Sequence, residues 1–163
     1  MSSKGSLEGN DTVRFERSLP GSATRVWEHL TGAKHVPVWF GGEGAIEPRV
    51  GGAVKLMGGM FTGAVKEWQP GKRLVHSMSL TGVPAPETTV SYDLAEHDGA
   101  VHLTLSQGPL AAPFLAGSFS GWHTFLDRLE AMLRGEDPGD VMQAMQTHRN
   151  AYLKDYPEGA AFG

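Results

Sequence analysis

The sequence predicts an α+β fold, a strongly curved antiparallel β-sheet wrapped around a long C-terminal helix. Three observations lead there. Six strand-length runs between Ala45 and Gln107 follow one another with little but turn residues between them, and connections that short force antiparallel neighbours. From Phe114 to Leu133 the apolar residues switch to helical spacing, a length that can lie across a whole sheet. One strand and two short helical segments precede the sheet runs. A sheet with one apolar face and a helix with one apolar stripe bury both by packing together.

In chain order, Val13, Phe15, Arg17 and Leu19 share one parity against Arg14, Glu16 and Ser18, which predicts a half-buried strand over Thr12–Leu19. Pro20-Gly21-Ser22 ends it, and Ser22 reads as the N-cap of a helix running to about Leu30 with Ala23, Val26, Trp27 and Leu30 as its apolar stripe. Thr31 to Phe40 reads as a second short helix, broken or terminated around Pro37. The strand runs are Ala45–Val50, Ala53–Met57, Phe61–Trp68, Arg73–Leu80, Thr88–Ala95 and Ala100–Gln107. Gly51-Gly52, Gly58-Gly59, Pro70-Gly71, Gly82 with Pro84 and Pro86, and Asp98-Gly99 separate them. The last pair is the strongest hairpin signal in the chain.

On the long helix, Phe119, Trp122, Phe125, Leu126, Leu129, Met132 and Leu133 form the apolar stripe, with His123, Asp127, Glu130 and Arg134 on the opposite face. Gly135 and Pro138 stop it. An extra C-terminal helix is expected over Val141–Tyr156, with Val141, Met142, Met145, Tyr152 and Leu153 as the stripe that must find cover. The expected organisation is a flexible N-terminal tail over 1–10, one domain over 11–135 and a helical extension over 136–163.

Bulk properties exclude several function classes. The chain has 163 residues, 40% hydrophobic and 20% charged, which suits one globular domain. Its 14 basic and 18 acidic residues give a net charge of −4 without a basic stripe, so no nucleic-acid partner is expected. No apolar run is long enough for membrane insertion. Cysteine is absent, which removes disulfides, thiolate metal sites and thiol nucleophiles. The polar start, without the apolar core of a signal peptide, predicts a cytoplasmic protein. The 22 Gly and 10 Pro fit a sheet with many turns.

Several short motifs, taken in order, resemble a known family. They are Arg17 before the first helix, Val26-Trp27, Trp39-Phe40-Gly41, Arg49-Val50-Gly51-Gly52, and Gly63 with Val65 and Glu67. Pro70 with Arg73-Leu74 and Gly121-Trp122 with Leu126 and Leu129 complete the series. The chain resembles, over about residues 11–135, the heat-shock-protein ATPase activator homologue-like branch of the START/SRPBCC superfamily. That superfamily has the helix-grip fold of the birch-pollen-allergen proteins. The resemblance implies a cavity between helix and sheet that holds an apolar or amphipathic small molecule. It does not imply one activity, because the fold hosts transport, sensing, cyclisation and hydrolysis.

The chain has no Gly-x-Ser-x-Gly, Walker loop, His-Glu-x-x-His or dinucleotide fingerprint, and no cofactor is expected. The histidines His29, His35, His76, His97, His102, His123 and His148 are scattered, so no metal site is expected from spacing. Strand parity points instead to His76, which shares a face with Leu74, Met78 and Leu80, and to Tyr92, in step with Val90 and Leu94. Each is either a cavity acid or base or a core residue bonded to a neighbour. Glu67, in step with Gly63 and Val65, is the third catalytic candidate, because a carboxylate in an apolar pocket has a raised pKa. Otherwise it pairs with Arg17, Lys55 or Arg73, or faces solvent on a twisted strand. Gln107 is a candidate to meet a ligand amide or carbonyl, or to satisfy backbone. Trp39, Met57, Met60, Phe61, Met78 and Trp122 are the expected apolar lining.

Three functions follow. The first is a binding module that sequesters or senses a small apolar molecule. The second is a cyclase, aromatase or hydrolase using His76, Glu67 or Tyr92. The third is a chaperone ATPase cofactor, which the resemblance associates with an additional N-terminal domain that residues 1–10 do not supply. The extra helix covers the outside of the sheet, closes the pocket or forms a homodimer contact.

Overall fold

The computed structural model describes residues 3–162. Its strands are β1 (Ser6–Glu8), β2 (Thr12–Pro20), β3 (Ala45–Ile46), β4 (Ala53–Leu56), β5 (Phe61–Gln69), β6 (Arg73–Leu80), β7 (Thr88–His97) and β8 (Ala100–Gly108). Helices α1 (Ala23–Thr31) and α2 (Val36–Trp39) follow β2, while α3 (Leu115–Leu133) and α4 (Val141–Leu153) follow β8. A 3-10 segment (Pro157–Phe162) comes last. All neighbouring strands are antiparallel in one curved eight-stranded sheet, ordered β1-β2-β8-β7-β6-β5-β4-β3.

Alternation drives the sheet. Val13, Phe15, Arg17 and Leu19 of β2 are all buried while Glu16 and Ser18 are exposed, so one parity of the strand faces α3. At the β7–β8 turn, Asp98 and Gly99 both take positive φ (50° and 79°). That is the requirement of the two-residue turn that matches strand twist. Helix α1 is capped by Ser22, whose Oγ accepts the Arg25 N–H at 3.2 Å. The Trp27 ring meets Trp68 edge-on at 5.0 Å and fixes α1 to the sheet.

Several expectations are corrected. The segment 1–10, expected as a loose tail, contains β1, which pairs Leu7 with Val13; Met1 and Ser2 lie outside the described residues. The helix expected over Thr31–Phe40 shrinks to one turn. Gly32 leaves helical geometry (φ −66°, ψ 141°), and Pro37 falls in the first turn of α2. There its missing N–H costs nothing, so the proline starts this helix rather than breaking it.

Helix α3 lies on the concave face, burying Phe119, Trp122, Phe125, Leu126 and Leu129 against the sheet. Helix α4 packs along α3, and its Tyr152 stacks on Phe119 at 4.9 Å with 7° between the rings. His123, expected on the solvent face of α3, is therefore buried. Met145 packs against the core, but Met142 of the same expected stripe is 64% exposed. No helix among the described residues is long and apolar enough to cross a membrane.

Candidate ligand cavity

A cavity of about 390 Å³ opens between the N-terminal half of α3, the ends of β5 and β6, the β6–β7 connection and α4. The volume lies within the ~300–1,000 Å³ typical of small-molecule pockets. The sheet contributes Phe61 and Met78, α3 contributes Trp122 and Phe125, and α4 contributes Met145. Met60, about half exposed, sits at the rim. A second depression of about 360 Å³ beside the β7–β8 turn is formed by Gly21, Ser22 and the exposed residues 96–99. It has no apolar wall of comparable extent.

The room in the first cavity comes from the sequence of α3. Gly117 and Gly121, one turn apart, both line it. A Cβ at Gly117 would meet nothing within 4 Å, and one at Gly121 would first reach the Phe125 ring at 3.6 Å. Gly121, inside the helix, costs about 1 kcal/mol relative to alanine, and Gly117, in the first turn, costs less. Two of them on the cavity face trade helix stability for space.

One polar cluster interrupts the apolar wall. Gln107 Oε1 accepts from Trp122 Nε1 at 2.7 Å and from Ser118 Oγ at 2.6 Å. Its Nε2 donates to Thr88 Oγ1 at 2.9 Å, and that hydroxyl donates to the Met78 carbonyl. Gln107 thus ties β7 and β8 to α3.

Of the residues expected at a ligand site, Met60, Phe61, Met78, Gln107 and Trp122 line this cavity; Trp39, Met57, His76, Tyr92 and Glu67 do not. Trp39 is fully buried under Phe40, its Nε1–H donating to the Leu30 carbonyl at 3.2 Å. Met57 turns away on positive φ (50°) at the end of β4. Glu67 misses the interior because a β-bulge between Val65 and Glu67 shifts the parity of β5. Its carboxylate, 46% exposed, pairs with Arg73 at 2.7 Å.

His76 and Tyr92 do meet, but outside the cavity lining; the Tyr92 ring packs edge-on against Trp122, which does line it. His76 Nδ1 lies 2.8 Å from the Ser77 carbonyl, which only accepts, so Nδ1 carries the proton. Nε2 is then the acceptor for the Tyr92 hydroxyl at 2.8 Å. Burial holds His76 down to about 4 and pushes the Tyr92 phenol well up. Both groups are uncharged at neutral pH.

A second titratable cluster lies between α3 and α4. His123, Asp127 and His148 bring one ligand atom each within 4.8 Å of one another. Spacing could not show this set, because His148 comes from another helix. Its fit to an ion is poor. The two imidazoles are stacked, 3.9 Å apart with 23° between planes, so their in-plane lone pairs do not converge on one point. Asp127 instead holds Arg17 at 2.7 Å, and His123 Nδ1 meets the Tyr152 hydroxyl at 2.7 Å. Burial first, then the neighbouring His148, lower His123 to about 4.

Reasoning along the sequence missed the walls supplied by Val83, Leu110, Pro113, Gly117, Met145 and Arg149. The one local signal was the Gly117-x-x-x-Gly121 spacing inside a helical pattern.

A curved sheet gripping one long helix, with a cavity beside that helix, defines a START/SRPBCC-type helix-grip protein. The chain belongs to the family described as Activator of Hsp90 ATPase homolog 1-like protein, whose model matches residues 20–134. Its structure is similar to that of CalU16 from Micromonospora echinospora (25% identity, TM-score 0.73, 88% of this chain and 86% of that one). It is also similar to DynU16, a protein in the dynemicin biosynthetic locus (27%, TM-score 0.71, 81% and 51%). PFC0360w, an HSP90 activator from Plasmodium falciparum, shares the fold at 17% identity (TM-score 0.67, 77% and 97%). No curated protein matches the chain.

Proposed function

We propose that this protein binds an apolar or amphipathic small molecule in the cavity beside α3. The observation that carries the reading is the apolar cavity of about 390 Å³ beside α3, on whose wall Gly117 and Gly121 carry no side chain into the space. Met60, Met78 and Met145 give the wall an adaptable lining. The likeness to DynU16 supports a biosynthetic small molecule as the ligand class. A cyclase or hydrolase reading has less support, since His76 and Tyr92 are engaged with each other and Glu67 with Arg73. The chaperone-cofactor reading rests on the family description alone.

The test is a thermal-shift and native mass-spectrometry screen of apolar small molecules against the wild type and Gly117→Leu. The leucine side chain projects into the cavity without removing any wall side chain. Ligands that bind the wild type and not the variant support the reading. Equal binding to both, or none to the wild type, overturns it.

A further inference from the structure

The cavity has one electrostatic feature, and it points to the ligand's polar end. Among the described residues that line it, Arg149 alone is charged. Among the described residues its one hydrogen bond runs from Nη2 to the Gly159 carbonyl at 2.7 Å. Arg14, Arg17, Arg49, Arg73 and Arg134 pair with carboxylates, whereas Arg25 and Arg128, like Arg149, donate to backbone carbonyls; of these three only Arg149 lines the cavity. Arg149 makes no ion pair among the described residues, and a guanidinium offers five N–H donors.

The remaining donors of the wall are already committed. Ser118 and the Trp122 indole donate to Gln107, Ser120 to the Ala116 carbonyl, and Thr88 to the Met78 carbonyl. Gln107 gives one amide N–H to Thr88. Arg149 therefore supplies most of the side-chain donor capacity left for a ligand, and the only positive charge. A purely apolar guest would offer that guanidinium no acceptor. A guest with an acidic head would form a charge-assisted, bidentate contact.

We propose that the ligand is an amphipathic monocarboxylate, its carboxylate on Arg149 and its apolar body against Trp122, Met78 and Phe125. This rests on the cavity being the binding site. Arg149 lies on α4, outside the residues 20–134 matched by the family model. The extension is thus both a wall of the cavity and the element that selects charge.

The experiment compares matched probes, decanoate with decanol and 2-naphthylacetate with 2-(2-naphthyl)ethanol, by calorimetry at pH 8 and low salt. The wild type is expected to favour each acid by about tenfold, the effect of one hydrogen bond to a charged group. Arg149→Gln should erase the preference of each acid over its matched alcohol, and Arg149→Lys should keep part of it. If acids and alcohols bind the wild type equally, or Arg149→Gln retains the preference, the charge assignment is wrong. Should Gly117→Leu still abolish binding in that case, the cavity reading survives. If no probe binds the wild type, both fall.

Discussion

The indole Nε1–H of Trp122 donates to the Gln107 amide oxygen at 2.7 Å, joining α3 to β8 at the wall of the cavity. The same oxygen accepts from Ser118, so one side chain satisfies two donors on the helix. Gln107→Leu keeps the approximate volume and strands the Trp122 and Ser118 donors. A loss of about 2–3 kcal/mol is expected, read as a lower urea midpoint with an unchanged m-value.

Gly117→Ala should stabilise the protein by up to about 0.5 kcal/mol, because the added methyl enters open space and the first turn of α3 gains propensity. Differential scanning calorimetry in the absence of ligand checks this. A decrease in Tm would mean that the space beside Gly117 is not open in solution.

Stability should fall in acid through His76. Its folded pKa, near 4, lies below the usual 6.5 of the unfolded chain, so between those values the unfolded state binds more protons. The stabilisation is complete above about pH 6.5 and is lost as pH falls towards 4, on the order of 3 kcal/mol at the limit. His123, also lowered to about 4, adds a loss of the same sign in the same window. NMR titration of the imidazoles, with urea melts at pH 7 and 4.5, measures both effects. A His76 resonance that titrates near 6.5 in the folded protein would contradict the assignment.

Asp127→Ala leaves the buried Arg17 guanidinium without its carboxylate, and a cost of about 3–5 kcal/mol is expected. The double variant Arg17→Met with Asp127→Leu should recover most of it, since it removes the buried charge along with its partner. Chemical denaturation of the two variants side by side provides the comparison.

The elements that proved legible are those in which local pattern and tertiary environment agree. Parity along β2, the Asp98-Gly99 turn and the Ser22 cap all depend on residues close in sequence. The inward parity of His76 and Tyr92 was equally visible, but not that each would be the other's partner. Glu67 shows the limit of parity: one bulged residue in β5, set by its pairing with β6, turns the side chain to Arg73. His123 shows the limit of periodicity, because α4 covers a helix face that would otherwise meet water.

The sequence by itself determined the element order from β2 to α4 and the curved antiparallel sheet around one helix. Only the tertiary structure decided which apolar residues surround space and which surround each other. Trp39 and Trp122 have the same chemistry, yet one is packed under Phe40 and the other faces the gap left by Gly117 and Gly121. Periodicity reports which side of an element is buried. Whether that side meets a neighbour or a void depends on side chains that arrive from distant segments, here the 80–88 connection and α4.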